Sequence, residues 1–270
     1  MNITFIGGGN MASALISGLL QQGYAAEQLR VVEINAESRE KIKHTLGVSA
    51  VAELADGVKG SDVILLAVKP QQLFELTQKL APLLNSQLIL SIAAGIRATD
   101  IIRWLGGYAR VVRAMPNTPS LVRSGVAGLY AAPGVGELDK KNAESILAAV
   151  GTTLWVDDEE MLHTVTAISG SGPAYVFYFI ESMQQAGIEL GLTPVQARQL
   201  SLQTFAGASK LASLSDEDVA VLRARVTSKG GTTEQAIQTM EENAIQCKII
   251  AAVHAANRRS RELSDEFSRI

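Results

Sequence analysis

The sequence predicts a doubly wound, mainly parallel α/β sheet in its N-terminal part, followed by an all-α domain. Three observations carry this. Short apolar, β-branched runs alternate with helical patterns through the first half. A glycine-rich turn stands between the first of these runs and the first helix. After about residue 160 the strand patterns give way to helical periodicity broken by turn signals.

The strands are read in order as Ile3–Ile6, Leu29–Ile34, Val63–Val68, Gln87–Ile92 and Arg110–Ala114. Helices are read between them as Met11–Gln22, Glu37–Leu46, Gln71–Leu83 and Thr99–Leu105. The run Val63-Ile64-Leu65-Leu66-Ala67-Val68 does not alternate with polar residues, which marks a strand buried on both faces. Val126–Ala131, Glu137–Val150 and Thr153–Val156 read as a last strand–helix–strand extension. The expected boundary lies near Asp157–Met161, giving domains 1–158 and 159–270. In the second, Thr193-Pro194-Val195-Gln196 opens a helix with a capping box and proline at the first helical position. Ser215-Asp216-Glu217-Asp218 resembles another such start, and the charged stretch from Arg258 to Ile270 reads as a solvated helix end.

Composition narrows the function. Of 270 residues, 47% are hydrophobic and 19% charged, enough apolar surface for a full core. The net charge of −3, from 24 Lys+Arg and 27 Asp+Glu, is not the basic footprint of a nucleic-acid binder. One cysteine, Cys247, precludes an internal disulfide or a thiolate cluster. His44, His163 and His254 lack metal-ligand spacing, so no metal site is expected. Cys247 reads as a buried small hydrophobe. Trp104, Trp155, Tyr175, Phe177, Tyr178 and Phe179 read as core or subunit interface. No signal peptide and no membrane span is read, and the expectation is a cytoplasmic protein.

The spacing Gly7-x-Gly9-x-x-Ala12 matches the dinucleotide fingerprint of a Rossmann fold, at the first strand-to-helix turn. Gly7 permits the tight turn, Gly9 lets backbone approach a pyrophosphate, and Ala12 allows close helix–strand packing. The free amides of the first helical turn and the helix dipole favour the anion. Glu33, at the end of the second strand, is placed to accept hydrogen bonds from a ribose and to repel a 2′-phosphate, which leans toward NAD. Asn35, Ser38 and Arg39 follow closely and offer an alternative accommodation of a phosphate, so cofactor preference stays open.

Other strand ends on the same rim carry small or rigid residues: Val68-Lys69-Pro70, Ala93-Ala94-Gly95 and Met115-Pro116-Asn117-Thr118-Pro119. Asn117, bracketed by prolines, is a candidate hydrogen-bond partner for a carboxamide. Ser169-Gly170-Ser171-Gly172-Pro173 reads either as a close-approach segment or as a linking turn with a helix cap. In Ser228-Lys229-Gly230-Gly231-Thr232-Thr233-Glu234-Gln235, glycines and hydroxyls at a helix start make a nest of amides suited to a carboxylate. Thr232 with Gln235 reads as a capping box, which leaves the Thr233 hydroxyl without a structural duty.

At these motifs the sequence resembles the pyrroline-5-carboxylate reductases over its whole length. The resemblance is carried by Phe5–Ala12, Ala67–Pro70, Ala93–Gly95, Arg113–Pro119, Ile168–Tyr175 and Val226–Thr233, of which the last two together are the most specific. It implies an α/β Rossmann domain, an all-α dimerisation domain, homodimers assembled into a higher homo-oligomer, and NADPH or NADH as hydride donor. It implies that Gly7, Gly9, Asn10, Met11, Glu33, Val68, Lys69, Pro70, Ala93, Ala94, Gly95 and Asn117 line the cofactor. It further implies that Ser228, Gly230, Gly231, Thr232 and Thr233 bind the substrate carboxylate, with Thr233 near the ring nitrogen as the catalytic hydroxyl. Because helical domains interlock in that family, this loop is expected to complete a partner subunit's site. Glu33 departs from the small polar or basic residues that NADPH-preferring members carry there. Two alternatives remain on the same architecture. One is a hydroxy-acid dehydrogenase, for which Lys210 and Lys248 are the available second-domain lysines, or an enzyme for another cyclic imine. The other is a dinucleotide-binding scaffold without turnover.

Overall fold

The computed structural model describes residues 1–270. An eight-stranded sheet has the spatial order β3-β2-β1-β4-β5-β6-β7-β8. Its strands are β1 (Ile3–Ile6), β2 (Leu29–Val32), β3 (Ser49–Val51), β4 (Val63–Leu66), β5 (Leu88–Ser91), β6 (Val111–Met115), β7 (Gly125–Ala131) and β8 (Gly151–Trp155). All neighbours pair parallel except β6 and β7. The chain order reverses between β1 and β4, which makes their carboxyl ends the switch-point crevice of a doubly wound fold.

Helices α1 (Asn10–Gln21), α2 (Ala36–Leu46), α3 (Leu54–Val58), α4 (Pro70–Leu80), α5 (Ala98–Trp104) and α6 (Glu137–Ala148) connect the strands. They cover both faces. One apolar cluster joins Phe5, Leu15, Leu19, Leu65 and Ile146, and the other joins Ile6, Ile64, Leu66, Leu73 and Ile101. Every residue of β1 and β4 is buried, because helices lie above and below them. Each fully buried leucine or isoleucine contributes about 1.5–3 kcal/mol.

The expected Leu29–Ile34 strand stops at Val32. Glu33 and Ile34 turn out of the ladder, and Ile34 is 81% exposed. β3 and α3 were not expected from the sequence. They are three and five residues long, too short to establish a period.

The chain divides into two compact units. The first comprises Met1–Ser171 and Ala256–Ile270, and the second Gly172–Ala255. The first therefore also holds α7 (Met161–Val165), a π turn at Thr166–Gly170, and the last turns of α12 (Ile245–Ser268). The sequence expectation places its boundary at 158/159. The charged tail is fastened to the start of α5. Arg97 donates to Asp265 at 2.6 Å, Asp100 accepts from Ser268 at 2.5 Å, and Arg103 donates to the Ser268 carbonyl at 3.1 Å. The Arg97 guanidinium holds the Asp265 carboxyl below its ordinary range. Buried His163 meets Ser260 Oγ through Nδ1 at 2.8 Å. Arg113 and Glu159 form a buried ion pair, and Glu159 also accepts from the Ala98 amide at 2.6 Å.

The second unit contains α8 (Gly172–Glu189), α9 (Pro194–Ser213), α10 (Val219–Arg225), α11 (Thr232–Glu242) and the start of α12. The Thr193–Gln196 capping box forms as expected. Asp218, rather than Ser215, caps α10 through the Ala220 amide at 2.7 Å. Cys247 is exposed, correcting its expected burial. It shares that exposure with large apolar side chains of the same unit, including Phe177, Tyr178, Leu200 and Leu214. No helix is long and apolar enough to cross a membrane.

Candidate active site

The first unit assembles a dinucleotide rim at the switch point. Gly7 has φ of +99°, and a Cβ there would lie 2.8 Å from the Ala67 carbonyl and 3.2 Å from Val68 Cγ1. Only glycine lets the turn after β1 pass this close to the end of β4. Gly9 caps α1 and has open space where a side chain would be. The amides of Asn10, Met11 and Ala12 have no helical acceptor, and the first turn carries no acidic residue. These features together fit an anionic pyrophosphate.

Glu33 completes this corner. Its carboxylate accepts from the Gly8 amide at 3.1 Å and from the Asn35 amide at 2.9 Å. Gly8 had not been singled out from the sequence. The signal available was the unbroken triplet Gly7-Gly8-Gly9, in which the Gly7 amide bonds the Val32 carbonyl and the next one meets Glu33. Lys69 caps α4, and Pro70, read from the sequence as the end of a strand, stands in its first turn. Ala93 is buried at the end of β5, Ala94 is exposed, and Gly95 turns with φ of +77°. A Cβ on Gly95 would lie 3.5 Å from the Phe267 ring, so the tail helix backs this part of the rim.

Asn117 is bonded within the chain. The residue is 8% exposed, and its side chain makes two hydrogen bonds. Nδ2 donates to the Ser169 carbonyl at 3.1 Å and Oδ1 accepts from the Val126 amide at 3.0 Å. The carboxamide therefore braces the π turn against β7. The Ser169–Pro173 motif, expected as a close-approach segment or a linking turn with a helix cap, is part of that turn and of α8. Ser171 N bonds the Thr166 carbonyl at 2.8 Å, five residues back. A Cβ on Gly170 would lie 2.7 Å from Met115 Cε, so the small residue there serves close packing on β6.

In the second unit, Ser228–Gly231 forms a turn closed by the Gly231 amide on the Ser228 carbonyl at 3.0 Å. Gly231 caps α11, with Gly230 at φ of +73°. Thr232 is thus the first helical residue and not the cap, and the expected Thr232–Gln235 capping box does not form. Instead, Glu234 reaches back to the Gly230 amide at 2.6 Å. The amides of Thr232 and Thr233 lack helical acceptors. Neither threonine hydroxyl is engaged within the chain, whereas Thr239, one turn deeper in α11, donates to the Gln235 carbonyl at 2.9 Å. The turn therefore offers two amides and two free hydroxyls to an anion.

Neither part of the site holds a histidine, a reactive thiol or a carboxylate pair. No group of three or more His, Cys, Asp or Glu side chains is placed to hold a metal ion. This donor set orients a substrate and places charge, which suits hydride transfer to an already electrophilic centre.

Comparison with known proteins agrees with these features. Residues 159–263 match the family described as pyrroline-5-carboxylate reductase dimerisation. Residues 2–95 match the NADP oxidoreductase, coenzyme F420-dependent family. The chain is 46% identical over 266 residues to the pyrroline-5-carboxylate reductase of Pseudomonas aeruginosa, covering 98% of this chain and 97% of that one. The structure of a pyrroline-5-carboxylate reductase from Coxiella burnetii superposes with a TM-score of 0.93 at 42% identity, covering 97% and 98% of the two chains. The Plasmodium falciparum pyrroline carboxylate reductase with NADP bound gives 0.87 at 29% identity, covering 98% of both. The exposed apolar side chains of the second unit fit its match to a dimerisation domain and support an oligomer. On its glycine corner, its free-hydroxyl turn and its full-length identity, the chain belongs to the pyrroline-5-carboxylate reductase family, oxidoreductases that make L-proline in the last step of its biosynthesis.

Proposed function

We propose that this chain reduces 1-pyrroline-5-carboxylate to L-proline with the residues named above in the following roles. The single observation that carries the reading is the glycine corner: an open helix start, free of acidic residues, pressed against the end of β4 and flanked by Glu33. When bound there, NAD(P)H supplies the hydride. Gly7 sets the turn, the amides following Gly9 at Asn10 and Met11 hold the pyrophosphate, and Glu33 accepts from the ribose. Val68, Lys69, Pro70, Ala93, Ala94 and Gly95 shape the rim.

The substrate carboxylate is assigned to Ser228, Gly230, Gly231 and Thr232. The Thr233 hydroxyl is assigned to the ring nitrogen, where it orients the protonated imine. Hydride adds to the C=N carbon, and the nitrogen keeps its proton as the secondary amine of proline. We further infer that the Ser228–Thr233 turn completes a partner subunit's site, that the dimers assemble into a higher homo-oligomer, and that the enzyme works in the cytoplasm.

Incubation with 1-pyrroline-5-carboxylate and NADH or NADPH, followed by nicotinamide absorbance, tests the reaction. Absence of turnover with both cofactors would refute it. Thr233→Ala is expected to lower kcat/KM by the equivalent of about 1–3 kcal/mol, the size of one polar contact. Unchanged kinetics would remove Thr233 from the mechanism.

A further inference from the structure

We infer that Glu33 makes this chain select NAD(H) over NADP(H). The inference rests on the dinucleotide reading of the glycine corner and assigns its specificity.

The carboxylate is held in place from two sides. Oε2 accepts from the Gly8 amide at 3.1 Å, and Oε1 accepts from the Asn35 amide at 2.9 Å. One hydrogen bond comes from the glycine turn and the other from the loop after β2, so rotation of the side chain breaks both. A Cβ on Gly8 would lie 3.4 Å from Oε2, which places the negative charge directly against the turn. Each carboxylate oxygen keeps a lone pair free to accept from a ribose hydroxyl. A 2′-phosphate carries about −1.5 to −2 charges and offers mainly acceptors, so at this position it meets a like charge with no hydrogen to share.

The neighbouring polar residues are partly committed to the loop itself. The Asn35 side chain accepts from the Ser38 amide at 2.8 Å and caps α2. Arg39 donates through Nη1 to the carbonyls of Glu33 and Ile34 at 2.8 and 2.9 Å, which ties it to the backbone of the loop. Lys43 pairs with Glu40 at 2.8 Å. Ile34, 81% exposed beside Glu33, adds an apolar surface in place of a cation. The fixed Glu33 carboxylate, rather than these neighbours, is what disfavours a 2′-phosphate here.

Calorimetric titration of the intact protein with NAD⁺, NADP⁺, 5′-ADP and 2′,5′-ADP tests this without turnover. The expected result is NAD⁺ binding at least about tenfold tighter than NADP⁺, with the same order between the two ADP isomers. Glu33→Gln removes the charge at constant size and is expected to shrink the ratio, chiefly by tightening NADP⁺. NADP⁺ binding as tight as NAD⁺ in the unmodified protein overturns the inference while leaving the dinucleotide site standing. Binding of none of the four ligands overturns the dinucleotide reading itself. The comparison in the unmodified protein does not depend on the variant folding.

Discussion

Replacing Asn117 with alanine removes two hydrogen bonds that join the loop after β6 to β7 and to the π turn. The side chain is buried, while Val126 and Ser169 are half-buried, so water partly reaches the groups left behind. Each lost bond then costs about 1–1.5 kcal/mol, and the pair about 2–3 kcal/mol. For a chain of this size that corresponds to a fall in Tm of roughly 4–12 °C. Asn117→Asp keeps an acceptor for Val126 but turns a carboxylate oxygen toward the Ser169 carbonyl. It should destabilise at least as much. Thermal melts without ligand, paired with cofactor titration of the folded variants, check both. A lowered Tm with cofactor Kd unchanged is the expected outcome. An unchanged Tm with weakened cofactor binding would refute it and return Asn117 to the cofactor rim.

Two other perturbations have defined outcomes. Gly7→Ala forces a side chain to 2.8 Å from the Ala67 carbonyl at a φ of +99°. It should weaken dinucleotide binding by more than about tenfold, since such strain costs on the order of 1–3 kcal/mol. Equal affinity would exclude the turn from the site. Burial pushes the His163 pKa below its ordinary 6.5, with Glu160 opposing and Arg261, Arg113 and Arg97 reinforcing. The unfolded chain then binds the extra proton first, so stability falls as pH drops below about 6.5 and levels off above it. His163→Gln should flatten that dependence in Tm measured against pH, and an identical slope would assign it to other groups.

The residue patterns revealed the parts of the molecule whose physics is local. The β1–glycine–α1 turn and the Thr193 capping box each follow from residues within a few positions of one another. What stayed hidden depends on distant partners. The Asn117 tie to Ser169 and the His163 contact with Ser260 join segments far apart in sequence. The π turn has no compositional mark, so Ser169-Gly170-Ser171-Gly172-Pro173 imitates a loop. Thr232 missed its expected cap because Gly231 takes that position. Glu33 lay between two readings until its acceptor pattern was known.

The route of α12 bears on how the molecule comes into being. The sheet-bearing body is interrupted: Met1–Ser171 emerges from the ribosome first, and its remaining portion, Ala256–Ile270, only after all of Gly172–Ala255 has been made. Until then Arg97 lacks its Asp265 partner, while Asp100 and Arg103 have only each other in place of Ser268. The nascent nucleotide-binding lobe must therefore wait, incompletely closed, for a distant helix to return and finish it.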